Sequence, residues 1–303
     1  MTSRTIAITG ASGLIGTALA NHLTARGDRV LKFTRTGRSS DTTIAWNPAS
    51  GQIDGTRLSG VDAVVHLAGA GIGDKRWTAE YKREILESRT KSTALLAQAM
   101  ADLSDGPKIL LSGSAIGIYG ASETLTFDEQ SQNGSTFLAD VCQQWEAATD
   151  PASKVGIRVT HLRTGIVLSP AGGALAKLLP LFKIGAGGKM GTGKQWQSWI
   201  SIDDEIAAID FLLGANVTGA VNLTAPQPVT QGEFTKVLAK VLHRPSFMPV
   251  PSFGPKLLLG GELADALLFT GQKVLPRILQ GAGYSFIHSD LESALRSLLQ
   301  RPS

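Results

Sequence analysis

A single cysteine, Cys142, stands among 303 residues, so no intramolecular disulfide framework exists and a reducing compartment suits the chain. Blocks of one charge are also missing. The net charge of +4 at pH 7 is spread along the chain, and no Lys/Arg cluster with interleaved aromatics offers a nucleic-acid surface. This mild basic excess fits either an acidic or phosphorylated small ligand or an ordinary solvated surface. No apolar run is long enough to span a bilayer: the best late stretch, Leu257 to Phe269, is broken by Gly260, Gly261, Glu262 and Asp265. His22, His66, His161, His243 and His288 show no ligand spacing, and no metal site is expected. No leader-like segment precedes the first strand, which begins within a few residues of Met1, so a cytoplasmic location is expected. Internal repeats and low-complexity stretches are lacking too.

What is present reads as a globular chain, with 43% hydrophobic and 18% charged residues and enough length to bury a core without cross-links. Short β-type runs alternate with helical patterns, which predicts a parallel sheet with crossover helices. Strands are expected over Thr5 to Thr9, Val30 to Thr34, Ala63 to Leu67, Lys108 to Leu111 and Val159 to Arg163, the last closing the series. Ile15, Leu19 and Leu23 share a helical face, and Gly27 stops that helix. From Ser169 glycine and proline become dense (Gly172, Gly173, Pro180, Gly185, Gly187, Gly188, Gly191, Gly193), as in loops that wrap a ligand. A strand from Trp199 to Ile202 and a helix from Asp203 follow, then a mostly helical remainder. Helix starts are expected at Ser201 with Asp204, Thr230 with Glu233, and Ser289 with Glu292. The expected fold is α/β: a Rossmann doubly wound parallel sheet with a smaller, mainly helical C-terminal substrate lobe. Residues 1–168 and 199–225 are assigned to the Rossmann part, and 169–198 and 226–303 to the lobe.

The run Ile6-Ala7-Ile8-Thr9-Gly10-Ala11-Ser12-Gly13-Leu14-Ile15-Gly16 sets G-x-x-G-x-x-G between a strand and an amphipathic helix. Glycines there allow a tight turn and close backbone approach, while the helix N-terminus offers free N–H groups and a positive dipole end to a pyrophosphate. At the end of the second strand, where NAD-binding folds place a carboxylate for the ribose 2′-hydroxyl, the chain reads Leu31-Lys32-Phe33-Thr34-Arg35-Thr36-Gly37-Arg38. No carboxylate occurs and two guanidinium groups do, which suits a 2′-phosphate and favours NADP(H). The alternative is that Arg35 and Arg38 are plain loop charges.

Together, Thr9 to Gly16, His66-Leu67-Ala68-Gly69, Ser112-Gly113-Ser114 leading to Ile118-Tyr119-Gly120, and Trp199 to Asp204 resemble the extended short-chain dehydrogenase/reductases, the nucleotide-sugar epimerase-like group. Lys75-Arg76-Trp77, Ile85 to Arg89, Gly191 to Trp196 and the tail from Phe247 to Leu299 narrow the resemblance to an atypical "epimerase family" branch. It covers nearly the whole chain. It implies cofactor contacts at Gly10, Ser12, Gly13, Leu14, Ile15, Gly16, Leu67, Ala68, Gly69, Ser112 and Arg89, besides Arg35 and Arg38. It also implies substrate contacts at Gly71, Trp77, Gln195 and Trp196. The wider group has a catalytic Ser, a Tyr-x-x-x-Lys pair and an Asn. Here Ser114 matches the serine and Glu146 the glutamate one turn after the lysine. Cys142 then stands at the lysine position, Leu138 at the tyrosine and Arg89 at the asparagine. Leucine transfers no proton and a neutral thiol supplies no positive field, so the usual acid/base pair is gone. No Y-x-x-x-K occurs elsewhere; Tyr81, Tyr119 and Tyr284 are the only tyrosines.

Substitute chemistry is sought at Ser114, expected to hydrogen-bond a substrate carbonyl or cap a turn, at Arg89, and at Tyr119, a displaced acid/base or a packing residue. Lys75, Arg76 and Lys82 could join Arg89 around an anionic substrate, or be solvated. Trp196 and Trp199 could stack on a ring, or pack in the core; Cys142 reads as a buried thiol rather than a nucleophile. The partner expected is a small molecule, anionic or nucleotide-linked; the oligomeric state, monomer or dimer, stays open. Three readings follow: an NADP(H)-dependent oxidoreductase or epimerase-like enzyme with a rearranged site, a non-catalytic NADP(H)-binding redox sensor or regulator, and a Rossmann scaffold that binds no dinucleotide.

Overall fold

The structure, a computed structural model, describes residues 3–246 and 250–300; Phe247, where the family-like tail begins, lies outside them. In chain order come β1 (Thr5–Thr9), α1 (Leu14–Ala25), β2 (Arg29–Thr34), β3 (Thr43–Asn47), β4 (Gln52–Ile53), β5 (Ala63–His66), α2 (Ala79–Ala101) and β6 (Ile109–Ala115). Next are β7 (Thr126–Phe127), α3 (Phe137–Ala147), α4 (Asp150–Lys154), β8 (Arg158–Thr164), β9 (Ile166–Leu168) and α5 (Gly173–Lys183). β10 (Trp196–Gln197), β11 (Trp199–Ser201), α6 (Ile202–Gly214), β12 (Gly219–Leu223), β13 (Val229–Thr230) and α7 (Gln231–Leu242) follow. The last are α8 (Phe253–Leu259), α9 (Gly261–Ala264), β14 (Lys273–Val274), α10 (Arg277–Gly281) and α11 (Leu291–Leu298).

Eight strands form one Rossmann-like sheet in the order β12-β8-β6-β5-β1-β2-β3-β4, parallel at every step except β3 with β4. From β1 the chain steps outward to β2 and β3, then returns to lay β5, β6 and β8 on the opposite side. The crevice beyond the C-terminal ends of β1 and β5 is therefore the topological switch point, where open α/β sheets bind ligands.

The period-two alternation of buried strands sorts the core onto two faces. Ile6 and Ile8 meet Leu19 and Leu23 of α1 and Ile209 and Leu212 of α6. Ala7 and Val64 face Leu96, Ala97 and Met100 of α2. Each such leucine, wholly buried, contributes about 1.5–3 kcal/mol. A further core joins Leu175, Leu179 and Phe182 of α5, Phe234, Leu238 and Val241 of α7, and Leu291 and Leu295 of α11 around Trp199. The helical 3–4 spacing in each set explains why this late region folds as helices.

Several boundaries differ from expectation. β3 was not anticipated, although Ile44 and Trp46 alternate inward; the polar residues around it hide the pattern. Nor does the strand within β8 close the series, because β12 pairs outside it. Ser112 to Ser114 lie inside β6 rather than after it. The helix starts at Ser201 and Thr230 are observed, the latter as a full capping box, whereas the third belongs to Asp290, whose carboxylate accepts from Ser293 N at 2.9 Å. Among the described residues no helix is long and apolar enough to cross a membrane.

Candidate functional site

The turn between β1 and α1 is built so that only glycine fits at key points. Gly10 has φ +66°, and a Cβ there would meet the Leu67 carbonyl carbon at 2.8 Å. A Cβ on Gly16 would fall onto the Gly10 carbonyl oxygen, with Gly10 C at 2.8 Å and Ala11 Cα at 2.9 Å. Gly13 N closes the turn on Gly10 O at 2.9 Å. The first turn of α1 has neither a side-chain cap nor an acidic residue, so its N–H groups and positive dipole end remain available to an anion. Ser12 is exposed at the tip, while Leu14 and Ile15 are half-buried.

A buried polar clamp holds the neighbouring strand ends. Thr9 Oγ1 accepts from Leu67 N at 3.0 Å and Ala68 N at 3.1 Å, so its own proton goes to His66 Nδ1 at 2.7 Å. That network assigns the His66 proton to Nε2, which lies 2.9 Å from Thr93 Oγ1. Burial, aided by Arg89, pushes His66 down to about 3, keeping it neutral. The clamp fixes Leu67, Ala68 and Gly69 beside the glycine turn.

Beyond β2, Arg35 and Arg38 are exposed, and neither guanidinium has an acceptor among the described residues. A cavity of about 390 Å³ opens beside Arg35, bordered also by Thr34, Asn47 and Asp54. A glycine cradle, an uncapped helix start and free guanidinium groups at the second strand end fit the pyrophosphate and 2′-phosphate of NADP(H).

Ser114, near the end of β6, belongs to a polar network the sequence did not reveal. Its Oγ donates to Glu146 Oε1 at 2.7 Å. Arg163 grips the same carboxylate through Nε at 2.8 Å and Nη2 at 2.9 Å. Burial pushes Glu146 up, but the Arg163 fork outweighs it and holds the carboxyl below its ordinary range. A hydroxyl has one proton, so toward a ligand Ser114 Oγ here offers lone pairs; the sequence had suggested a donor to a carbonyl. Tyr119 is 3% exposed. Its hydroxyl donates to Asn222 Oδ1 at 2.7 Å and accepts from Arg163 Nη1 at 2.9 Å, and burial pushes its pKa up. Ser112 is fully buried within β6.

Arg89 is 7% exposed, packed against Gly69 with its guanidinium 5.0 Å from the Trp145 ring centroid. The other cations proposed to converge with it do not. Lys75 pairs with Glu84 at 3.2 Å, Arg76 donates to the Leu257 and Leu258 carbonyls, and Lys82 pairs with Glu262. Arg76, before α2, and Lys82, on α2, thus tie this region to α8 and α9, while Lys75 is held by α2 itself. Leu138 is half-buried on α3; Cys142 is buried, and burial with the Glu146 charge pushes its thiol up to about 11.

The expected substrate residues are engaged in ties between loops. Gly71 packs on the Asp74 carboxylate and its carbonyl accepts from the Tyr81 hydroxyl. Trp77 donates to Ile72 O at 2.9 Å and meets Phe137 edge-on at 5.1 Å. Gln195 Nε2 reaches Met190 O and Leu268 O, at 3.1 and 2.8 Å, leaving its buried Oε1 without a donor among the described residues. Trp196, half-buried, donates to Glu123 O at 2.9 Å under the Lys273 ammonium. Trp199 is wholly buried and donates to Gln227 O at 3.0 Å.

Residues 6–224 match the NAD dependent epimerase/dehydratase family, and residues 250–298 match a domain of unknown function (DUF1731). The Mycobacterium bovis protein "Epimerase family protein Mb2239" is 41% identical over 303 residues, covering 100% of both chains. The crystal structure of human epimerase family protein SDR39U1 (isoform 2) with NADPH superposes with a TM-score of 0.88 at 34% identity, covering 98% of this chain and 99% of that one. The nucleoside-diphosphate sugar epimerase from Corynebacterium glutamicum superposes with a TM-score of 0.81 at 34% identity, covering 99% of this chain and 59% of that longer one.

Proposed function

The chain belongs to the NAD dependent epimerase/dehydratase family, and from that premise we propose that it is an NADP(H)-binding oxidoreductase or epimerase-like enzyme with a rearranged proton-transfer site. The observation that carries the reading is the glycine cradle at Gly10 and Gly16, which a methyl group would fill, with Arg35 and Arg38 unpaired among the described residues. Gly10, Ser12, Gly13, Leu14, Ile15 and Gly16 take the pyrophosphate at the α1 N-terminus. Arg35 and Arg38 take the 2′-phosphate, and Leu67, Ala68, Gly69 and Ser112 border the path between. The human relative crystallised with NADPH supports this choice of dinucleotide. When bound, NADP(H) supplies hydride chemistry at its nicotinamide ring.

The chain's own residues supply the rest. Glu146, held ionised by Arg163, orients Ser114 as a hydrogen-bond acceptor, so the group facing Ser114 is a hydroxyl or N–H. Tyr119 acts as a positioning residue, bracing Arg163 from below. The substrate is a small molecule with an anionic or nucleotide-linked group, near Gly71, Trp77, Gln195 and Trp196. NADPH oxidation assayed over carbonyl and nucleotide-sugar panels tests the chemistry. NADPH binding without turnover on any of them selects the second reading, a non-catalytic redox sensor or regulator, which the Leu138 and Cys142 substitutions favour. Failure to bind NADPH at all leaves the scaffold reading.

A further inference from the structure

We infer that the corner where α5 and α7 meet is a membrane-docking face, on which lysines and two bare aliphatic side chains engage an anionic lipid surface. The positive charge that is spread along the sequence is not spread evenly over the molecule. Residues 169–198 and 226–250, which hold α5, the glycine-rich loop and α7, carry seven lysines and arginines against one carboxylate, Glu233. That local excess is larger than the +4 of the whole chain. The cations point outward: Lys177, Lys183, Lys189, Lys194, Lys236 and Arg244 are all exposed. Of the seven, only Lys240 forms an ion pair among the described residues, with Glu292 at 2.8 Å.

Helix geometry adds an apolar element. Leu175, Leu179 and Phe182 turn α5 toward the core, which leaves Lys177, Leu181 and the cap residue Ile184 at i, i+4 and i+7 on the outer face. Leu181 is 48% and Ile184 78% exposed, although the solvated face of a helix is ordinarily polar. Arg244 Nε donates to Lys183 O at 2.9 Å, and Gly185 lies against Pro245. The ends of both helices, with Lys183, Ile184 and Arg244, therefore share one corner. It is remote from the cofactor turn: Gly172 lies against Leu14, and eleven residues of helix carry the chain about 16 Å away from there. Two aliphatic side chains fall far short of the roughly 800 Å² per partner that a stable protein interface buries. Lysine is also depleted in such interfaces in favour of aromatics and arginine. Nucleic acid calls for forked arginines or stacking aromatics, whereas the outer face of α5 has lysines and no exposed aromatic. A fluid headgroup layer takes scattered lysines and admits short apolar side chains between lipids.

Sedimentation of the full-length protein tests this, with vesicles of phosphatidylcholine alone and of phosphatidylcholine with about one-third phosphatidylglycerol. Binding is expected to the anionic vesicles only, falling steeply with added salt. Lys177→Glu/Lys183→Glu is expected to weaken it at least about tenfold, and Leu181→Ser/Ile184→Ser about tenfold with the salt dependence kept. These side chains are exposed, so melting temperature and NADPH affinity stay at wild-type values. Lys108→Glu/Lys154→Glu, on the Rossmann part, changes the net charge equally and is expected to hold vesicle binding within about twofold. No binding to anionic vesicles, or an equal loss in the Lys108→Glu/Lys154→Glu protein, overturns the inference. Retention by polyglutamate or duplex DNA without vesicle binding overturns it too, and assigns the face to an acidic protein or a nucleic acid.

Discussion

Replacing Glu205 with glutamine is expected to flatten the fall of stability between about pH 4.5 and 8. Glu205 sits in the first turn of α6 with no exposed surface. Its Oε1 accepts one hydrogen bond, from Thr164 Oγ1 at 2.9 Å, and its Oε2 is buried without a partner among the described residues. Burial pushes the carboxyl from 4.5 up to about 8. Between those values the folded chain keeps a proton that the unfolded chain has released, so stability falls as pH rises through this window. At about 1.4 kcal/mol per unit, the full shift amounts to roughly 4–5 kcal/mol as a ceiling, a large part of the ~5–15 kcal/mol that holds a typical domain together. Glutamine keeps the acceptor for Thr164 and cannot ionise. Urea denaturation at pH 5, 7 and 9 is expected to show Glu205→Gln close to wild type at pH 5 and about 2 kcal/mol or more ahead by pH 9. Glu146 and Asp28, held low, lose their contributions only on the acid side, and both proteins share them. Parallel curves from pH 5 to 9 would refute the argument.

Gly16→Ala forces a methyl onto the Gly10 carbonyl; a stability loss of about 1–3 kcal/mol and a marked loss of NADPH affinity are expected, read by melting and by fluorescence. Arg163→Met leaves the buried Glu146 without its counter-charge and is expected to cost about 3–5 kcal/mol in denaturant titration; a loss below 1 kcal/mol would mean that Glu146 is not held as described. Tyr119→Phe removes the donor to Asn222 and is expected to cost about 1–3 kcal/mol while leaving NADPH affinity within about twofold. A tyrosine that touches cofactor would show the reverse.

Much of the site's position was legible because its signals are local. The glycine turn follows a strand buried on both faces and opens an amphipathic helix, and Thr230 with Glu233 announces a capping box within four residues. Helical spacing in 234–242 is likewise legible in the bare sequence, whereas α5 (Gly173–Lys183) runs where Gly172, Gly173 and Pro180 had pointed to loops. What escaped depends on contacts across the fold. Ser114 meets Glu146 and Arg163 only because β6, β8 and α3 converge, and no spacing encodes that the serine's proton is already committed. Lys75, Arg76 and Lys82 looked like an anion-binding cluster beside Arg89, yet α8 and α9 arrive from far along the chain to engage Arg76 and Lys82, and Glu84 takes Lys75. β12 is an edge strand and β3 lies beside the two-residue edge strand β4, so a weak alternation in each is completed by pairing rather than by composition.

The central claim, that the Gly10–Gly16 cradle with Arg35 and Arg38 selects the phosphorylated dinucleotide, is tested most directly by titrating one protein sample with NADPH and with NADH. NADPH is expected to bind at least about tenfold tighter, with that preference abolished in Arg35→Ala/Arg38→Ala while NADH binding is kept. Equal affinities, or a preference that survives loss of both arginines, would contradict it.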